Sequence, residues 1–151
     1  MKVWLILHVV GVVMLLGNIV TAAFWKARAD LGGSVEDIYK TVRGVMVADY
    51  FFTVPGVAMI LISGHVMADK AGYDLFSWSW IGISYMLFIL TGVIWGVLLL
   101  PLQRRMIKEA KRSLSSGRPN NEYRRYSAIW NVAGIFATLL PIAVLVLMIS
   151  K

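Results

Sequence analysis

The sequence predicts an all-α integral membrane protein, a four-helix bundle of membrane-spanning helices forming one domain over residues 1–151. Two observations carry that expectation. Hydrophobic residues make up 59% of the chain and charged residues 15%, whereas soluble domains run at roughly 45–50% and 25%. The apolar excess is also gathered into four blocks, at about residues 3–25, 45–67, 78–102 and 127–150. Each block is about 23–25 residues long, and a helix rising 1.5 Å per residue needs about 20 to cross a hydrocarbon layer of about 30 Å. Barrel strands would need only about 9–11.

The first block opens after Lys2 and closes near Ala22 and Ala23, as a signal peptide would. Its apolar run exceeds the core of about 7–15 residues that such a peptide carries, so it is expected to be a true span. It ends at "FWKARAD", and Gly32-Gly33 break the helix. Ser34 and Asp37 have the spacing of a helix cap. Val35, Ile38, Tyr39 and Val42 then recur at helical spacing among Glu36, Asp37, Lys40 and Arg43. That pattern predicts an amphipathic helix lying on the cytoplasmic interface and continuing into span two. Asp49, near the start of that span, is expected among headgroups or beside an Arg.

Span two contains "TVPG", Thr53 to Gly56. A proline inside a helix removes one hydrogen bond and crowds the preceding turn, so a kink is expected, with Thr53 placed to satisfy the freed carbonyl. Span three contains Gly92-x-x-x-Gly96, the small-residue spacing that lets a second helix approach. Residues 103–116 read as a helical extension beyond the membrane, "SSGRPNNE" as a turn, and Pro141 as a second kink within span four.

Charge predicts orientation. Lys26, Arg28, Lys40 and Arg43 lie between spans one and two, and Arg104, Arg105, Lys108, Lys111, Arg112, Arg118, Arg124 and Arg125 between spans three and four. The opposite side has Lys2, Lys70 and Lys151. Twelve basic residues against three predict that both connecting segments are cytoplasmic and both termini outside. The net charge of +7 then faces membrane lipids rather than nucleic acid. Trp4, Trp25, Trp78, Trp80 and Trp130 fall near span ends as an interfacial belt, while Trp95 lies deeper, between helices.

The chain has no cysteine, which excludes disulfides, thiolate metal sites and cysteine nucleophiles. Ionisable residues inside a membrane mark functional sites by default, and the two histidines are the candidates. His8 is about five residues into span one, or about 7–8 Å, and His65 about 3–5 Å from the end of span two. Both therefore belong at similar depth near the outer face. His8, Gly11, Leu15, Asn18 and Ala22 share one helical stripe of small and polar residues, a face suited to the bundle interior. Two imidazoles from neighbouring helices can hold haem iron or another metal ion, with His8 as one axial ligand and His65 as a second. The alternative for His8 is a hydrogen bond to a Ser or Asn. Eight methionines, with Met1 and Met67 on the histidine side, raise copper handling or small-molecule transport as another reading, without any Met-x-x-Met cluster. A cofactor-free accessory subunit, docking through "GVIWG" in a homo-oligomer or larger membrane complex, is a third.

The whole chain resembles a family of small bacterial integral membrane proteins of unknown function. The resemblance is carried by "LHVVGVVMLLGNIVTAAFWKARAD", "TVPGVAMILISG", "LLLPLQRRMIKEA" and "WNVAGIFATLLPIAVLVLMISK". It implies a bacterial cytoplasmic (inner) membrane location. More distantly, His8-x-x-Gly11 and Pro55-Gly56 resemble the first two helices of HemJ-type protoporphyrinogen oxidases and of the CopD membrane domain. That resemblance implies haem b on His8. The His and Lys that the HemJ third helix carries are missing from "WSWIGISYMLF", so it implies a haem site without the oxidase reaction.

Overall fold

Four long helices account for nearly all of residues 1–150, which the computed structural model describes. Lys151, counted above with the few basic residues of the outer side, lies outside the described residues. The helices are α1 (Lys2–Gly32), α2 (Val35–Lys70), α3 (Trp80–Ser113) and α4 (Asn121–Ile149), and each has the length and apolar character needed to cross a membrane. No strand occurs among the described residues.

The 36 residues of α2 and 34 of α3 exceed what a bilayer requires. Their surplus lies at the same end, where the basic residues cluster. There Ile38, Val42 and Val45 of α2 join Leu102, Met106 and Ala110 of α3, with Ala29 of α1 and Tyr123 of α4, in one buried core. The amphipathic segment is thus continuous with the rest of α2, and its apolar face is turned to the protein. The reason is a complementary partner. Leu102, Met106 and Ala110 present an apolar stripe at the same height, so burial against protein replaces burial against lipid. Ser34 caps this segment in a reciprocal box with Asp37, and the Ser34 hydrogen bonds hold the Asp37 carboxyl below its usual range. Gly117, with φ of +66°, makes the turn between α3 and α4 that other residues rarely adopt.

Both α2 and α3 widen into a π turn, at Asp49–Thr53 and Ile94–Leu99, just before Pro55 and Pro101. A proline ring collides with the carbonyl four residues earlier, and a widened turn relieves that collision. The sequence pattern predicts a disturbance at Pro55 but not its form. At Pro141 α4 continues as an unbroken helix.

Antiparallel α1 and α2 cross where two glycines meet. A Cβ on Gly11 would lie 2.8 Å from the carbonyl oxygen of Gly56, and one on Gly56 would lie 3.0 Å from that of Gly11. Gly11, Leu15 and Asn18 are buried along this seam, as the stripe predicts. Gly92 and Gly96 behave differently. Nothing lies within 4 Å of a Cβ built on either one, so within the chain this glycine pair seats no helix.

Candidate functional site

The α1–α2 seam carries His8 toward the loop end of the bundle. His8 Nδ1 is 3.1 Å from Ser63 Oγ. Ser63 donates its single proton to the carbonyl of Met59, which leaves its oxygen as the acceptor for Nδ1–H. That tautomer leaves a lone pair on Nε2. Gly64 packs close to the ring, and a Cβ there would sit 3.3 Å from His8 Cε1. His65, one residue on, faces outward and is exposed. Met1 is exposed as well. Among the described residues, no group of three or more His, Asp or Glu side chains is arranged to hold a metal ion.

Toward the basic end the seam carries Asp49. It is only 6% exposed, so the interfacial position expected for it is corrected. Asn18 Nδ2 donates to Oδ1 at 2.8 Å and Thr53 Oγ1 at 2.9 Å. Gln103 Nε2 donates to Oδ2 at 2.8 Å and Trp95 Nε1 at 3.4 Å. Helices α1, α2 and α3 all converge on this carboxylate. Thr53 therefore serves Asp49 rather than the carbonyl freed by Pro55, and it also accepts from Asn18 at 3.0 Å. Asp49 and Thr53 are the two ends of the widened turn, and both are buried. No cationic side chain among the described residues pairs with Asp49.

A second polar cluster ties α1 to α4. Lys26, expected in a solvated cytoplasmic loop, is 1% exposed. Its Nζ reaches Asp30 Oδ2 at 2.5 Å, Ser127 Oγ at 2.7 Å and Asn131 Oδ1 at 3.1 Å, and lies 5.0 Å from the centre of a Trp130 ring. Asp30 also accepts from Tyr123 Oη at 2.6 Å and Ser127 Oγ at 2.8 Å. The i, i+4 spacing of Lys26 and Asp30 is the sequence signal that could have found this pair. Trp130, expected in the interfacial belt, is buried in the bundle instead.

Between the two clusters lies a cavity of about 620 Å³ to which all four helices contribute. Its walls are mostly apolar, interrupted by Asp49, Gln103, Trp95, Trp130, Asn131 and three threonines. Gly92 and Gly96 line it too: their missing side chains leave the space open. Two buried polar atoms on lining residues have no partner among the described residues, the acceptor Gln103 Oε1 and the donor Trp130 Nε1. Buried polar atoms are nearly always hydrogen-bonded, and both exceptions belong to residues of the cavity wall.

The model of a family described as "Predicted integral membrane protein (DUF2269)" matches residues 2–151. No curated protein and no solved structure matches the chain.

Proposed function

The chain belongs to the DUF2269 family of predicted integral membrane proteins, and we propose that within the membrane it binds a small, largely apolar molecule in the cavity beside Asp49. The carrying observation is a cavity of about 620 Å³ walled by a buried carboxylate that has four neutral donors and no cation. Ligand sites typically enclose about 300–1,000 Å³, apolar with a few fixed polar groups. An uncompensated charge in a bundle interior costs several kcal/mol relative to apolar packing. A chain that needed Asp49 only as a tie would gain stability by replacing it. Such a pocket suits transport or carriage of the bound molecule across the bilayer. The basic residues gathered at one end support a cytoplasmic position for that end, in the bacterial cytoplasmic membrane that the sequence resemblance implies.

Quenching of Trp95 and Trp130 fluorescence tests this reading, because both residues line the cavity. With the protein in lipid nanodiscs, bromobenzene is expected to quench in two components, one saturable and one linear from partition into lipid. A Cβ on Gly96 meets nothing within 4 Å and the residue lines the cavity, so Gly96→Phe should abolish the saturable component while leaving helix content unchanged. Equal saturable quenching in the variant, or none in the native protein, sinks the reading.

A second reading is haem b on His8, favoured by one observation. The Ser63 hydroxyl fixes the Nδ1–H tautomer and leaves Nε2 as the available ligand atom, the arrangement that orients ligating histidines. The residues fit a single imidazole ligand on the α1–α2 seam better than a pair, because His65 is exposed. Haem would supply one-electron chemistry there; Ser63 would hold the ring and Gly64 would leave room beside it. Haem titrated into the purified protein should give a Soret band that His8→Ala removes. A band unchanged by that substitution takes His8 out of the role.

A further inference from the structure

Resting on the cavity reading, we infer that the molecule the cavity takes is an organic cation with at least one N–H, a protonated amine on an apolar body. Three features of the wall specify it. Asp49 is a carboxylate whose partners are all neutral donors, so its hydrogen-bonding capacity is met while its charge is not. Lys26, the buried cation among the described residues, is held by Asp30 and forms no ion pair with Asp49. Second, Gln103 is 3% exposed and spends its Nε2 on Asp49, which leaves Oε1 unpartnered. A ligand donor reaches Oε1 by displacing the side chains that cover it, and seated there it is held one amide group away from the carboxylate, at a separation of roughly 5 Å, where positive charge is favoured over neutral. Third, Trp130 is 8% exposed and its Nε1–H has no acceptor. An ether, hydroxyl or carbonyl oxygen elsewhere on the ligand would complete it.

The charge selects a cation, Oε1 selects one with an N–H, and the apolar remainder of the wall selects a hydrocarbon or aromatic body. A quaternary ammonium would satisfy the charge and leave Oε1 unpartnered. A carboxylate or phosphate ligand would meet repulsion from Asp49.

Four probes of one shape separate these outcomes: phenethylammonium, phenethyl alcohol, phenethyltrimethylammonium and phenylpropionate. Each is titrated calorimetrically into the full chain in lipid nanodiscs, with protein-free nanodiscs as the blank. The primary ammonium should bind saturably and about tenfold more tightly than the alcohol. The trimethyl analogue should be weaker than the primary ammonium, and phenylpropionate should not bind. Asp49→Asn keeps the shape of the site and one of the two acceptor oxygens that its four donors use, removes the charge, and should abolish the preference for ammonium over alcohol. Gln103→Leu should instead abolish the preference for primary over quaternary ammonium. Circular dichroism and gel filtration confirm that both variants fold. Equal binding of alcohol and ammonium by the native chain, or unaltered ammonium binding by Asp49→Asn, overturns the cation assignment. Either result leaves the cavity reading standing on its own bromobenzene test. Absence of binding by all four probes overturns the cation assignment outright.

Discussion

Replacing Lys26 by methionine is expected to lower the stability of the folded chain by about 3 kcal/mol, the low end of the range for breaking a buried ion pair. Methionine keeps the length and apolar stem of the side chain and removes only the ammonium. That ammonium contacts Asp30, Ser127 and Asn131 at 2.5, 2.7 and 3.1 Å, so its loss leaves the Asp30 carboxylate without a counter-ion. Asp30 is the more accessible member, with 21% of its side chain exposed, and water reaching it keeps the loss at the low end. Tyr123 and Ser127 continue to donate to it. The double variant Lys26→Met, Asp30→Asn should therefore be more stable than the single one, because no isolated charge remains. Thermal unfolding in nanodiscs, followed by circular dichroism, reads both. A single variant within about 0.5 kcal/mol of the native chain would show that the pair is surface-like in its energetics. Equal losses in the single and double variants would show that the ammonium's other contacts, not the charge balance, carry the effect.

That pair also marks where sequence reasoning stops. Hydropathy and length read the four helices directly, because a span needs a long apolar block and nothing else produces one. The small-residue stripe of α1 was legible for a similar reason: Gly11, Leu15 and Asn18 recur at helical spacing, and only a packed face tolerates an Asn there. Lys26 was counted with the loop cations because charge at a span end ordinarily seeks water. Whether it finds water depends on α4, more than 100 residues away in sequence. The same holds for Asp49. Its i, i+4 relation to Thr53 is visible in one dimension, but Trp95 and Gln103 lie 46 and 54 residues away in sequence and reach it only through the packing of α3 on α2. A spacing rule also cannot tell a glycine pair that admits a helix from one that leaves a space. Gly92 and Gly96 have the Gly-x-x-x-Gly spacing and the open surroundings, whereas Gly11 and Gly56 belong to no such pair and make the close contact.

The crossing of α1 and α2 gives the other large expected effect. Gly11→Val should destabilise the chain by about 3 kcal/mol, the upper end of the cost of overpacking. The reason is what the new side chain meets. Its Cβ falls 2.8 Å from the carbonyl oxygen of Gly56 and 3.0 Å from Met59 Cβ. A flexible side chain could swing away from such a contact, but helical backbone cannot, so the two helices must separate. Separation has consequences at both ends of the seam. Asn18 stands seven residues after Gly11 and Asp49 seven before Gly56, about two helical turns from the crossing on each helix. Because the helices run antiparallel, that spacing brings the Asn18 amide to the Asp49 carboxylate. In the other direction Ser63, seven residues after Gly56, meets His8, three before Gly11. Gly11→Val should therefore lose the saturable component of bromobenzene quenching as well as stability, although it touches no residue of the cavity wall. Gly92→Ala, which meets nothing within 4 Å, is the matched control and should change the unfolding midpoint little. If Gly11→Val unfolds at the native midpoint, α1 and α2 are not in backbone contact, and the register that joins Asn18 to Asp49 has some other origin.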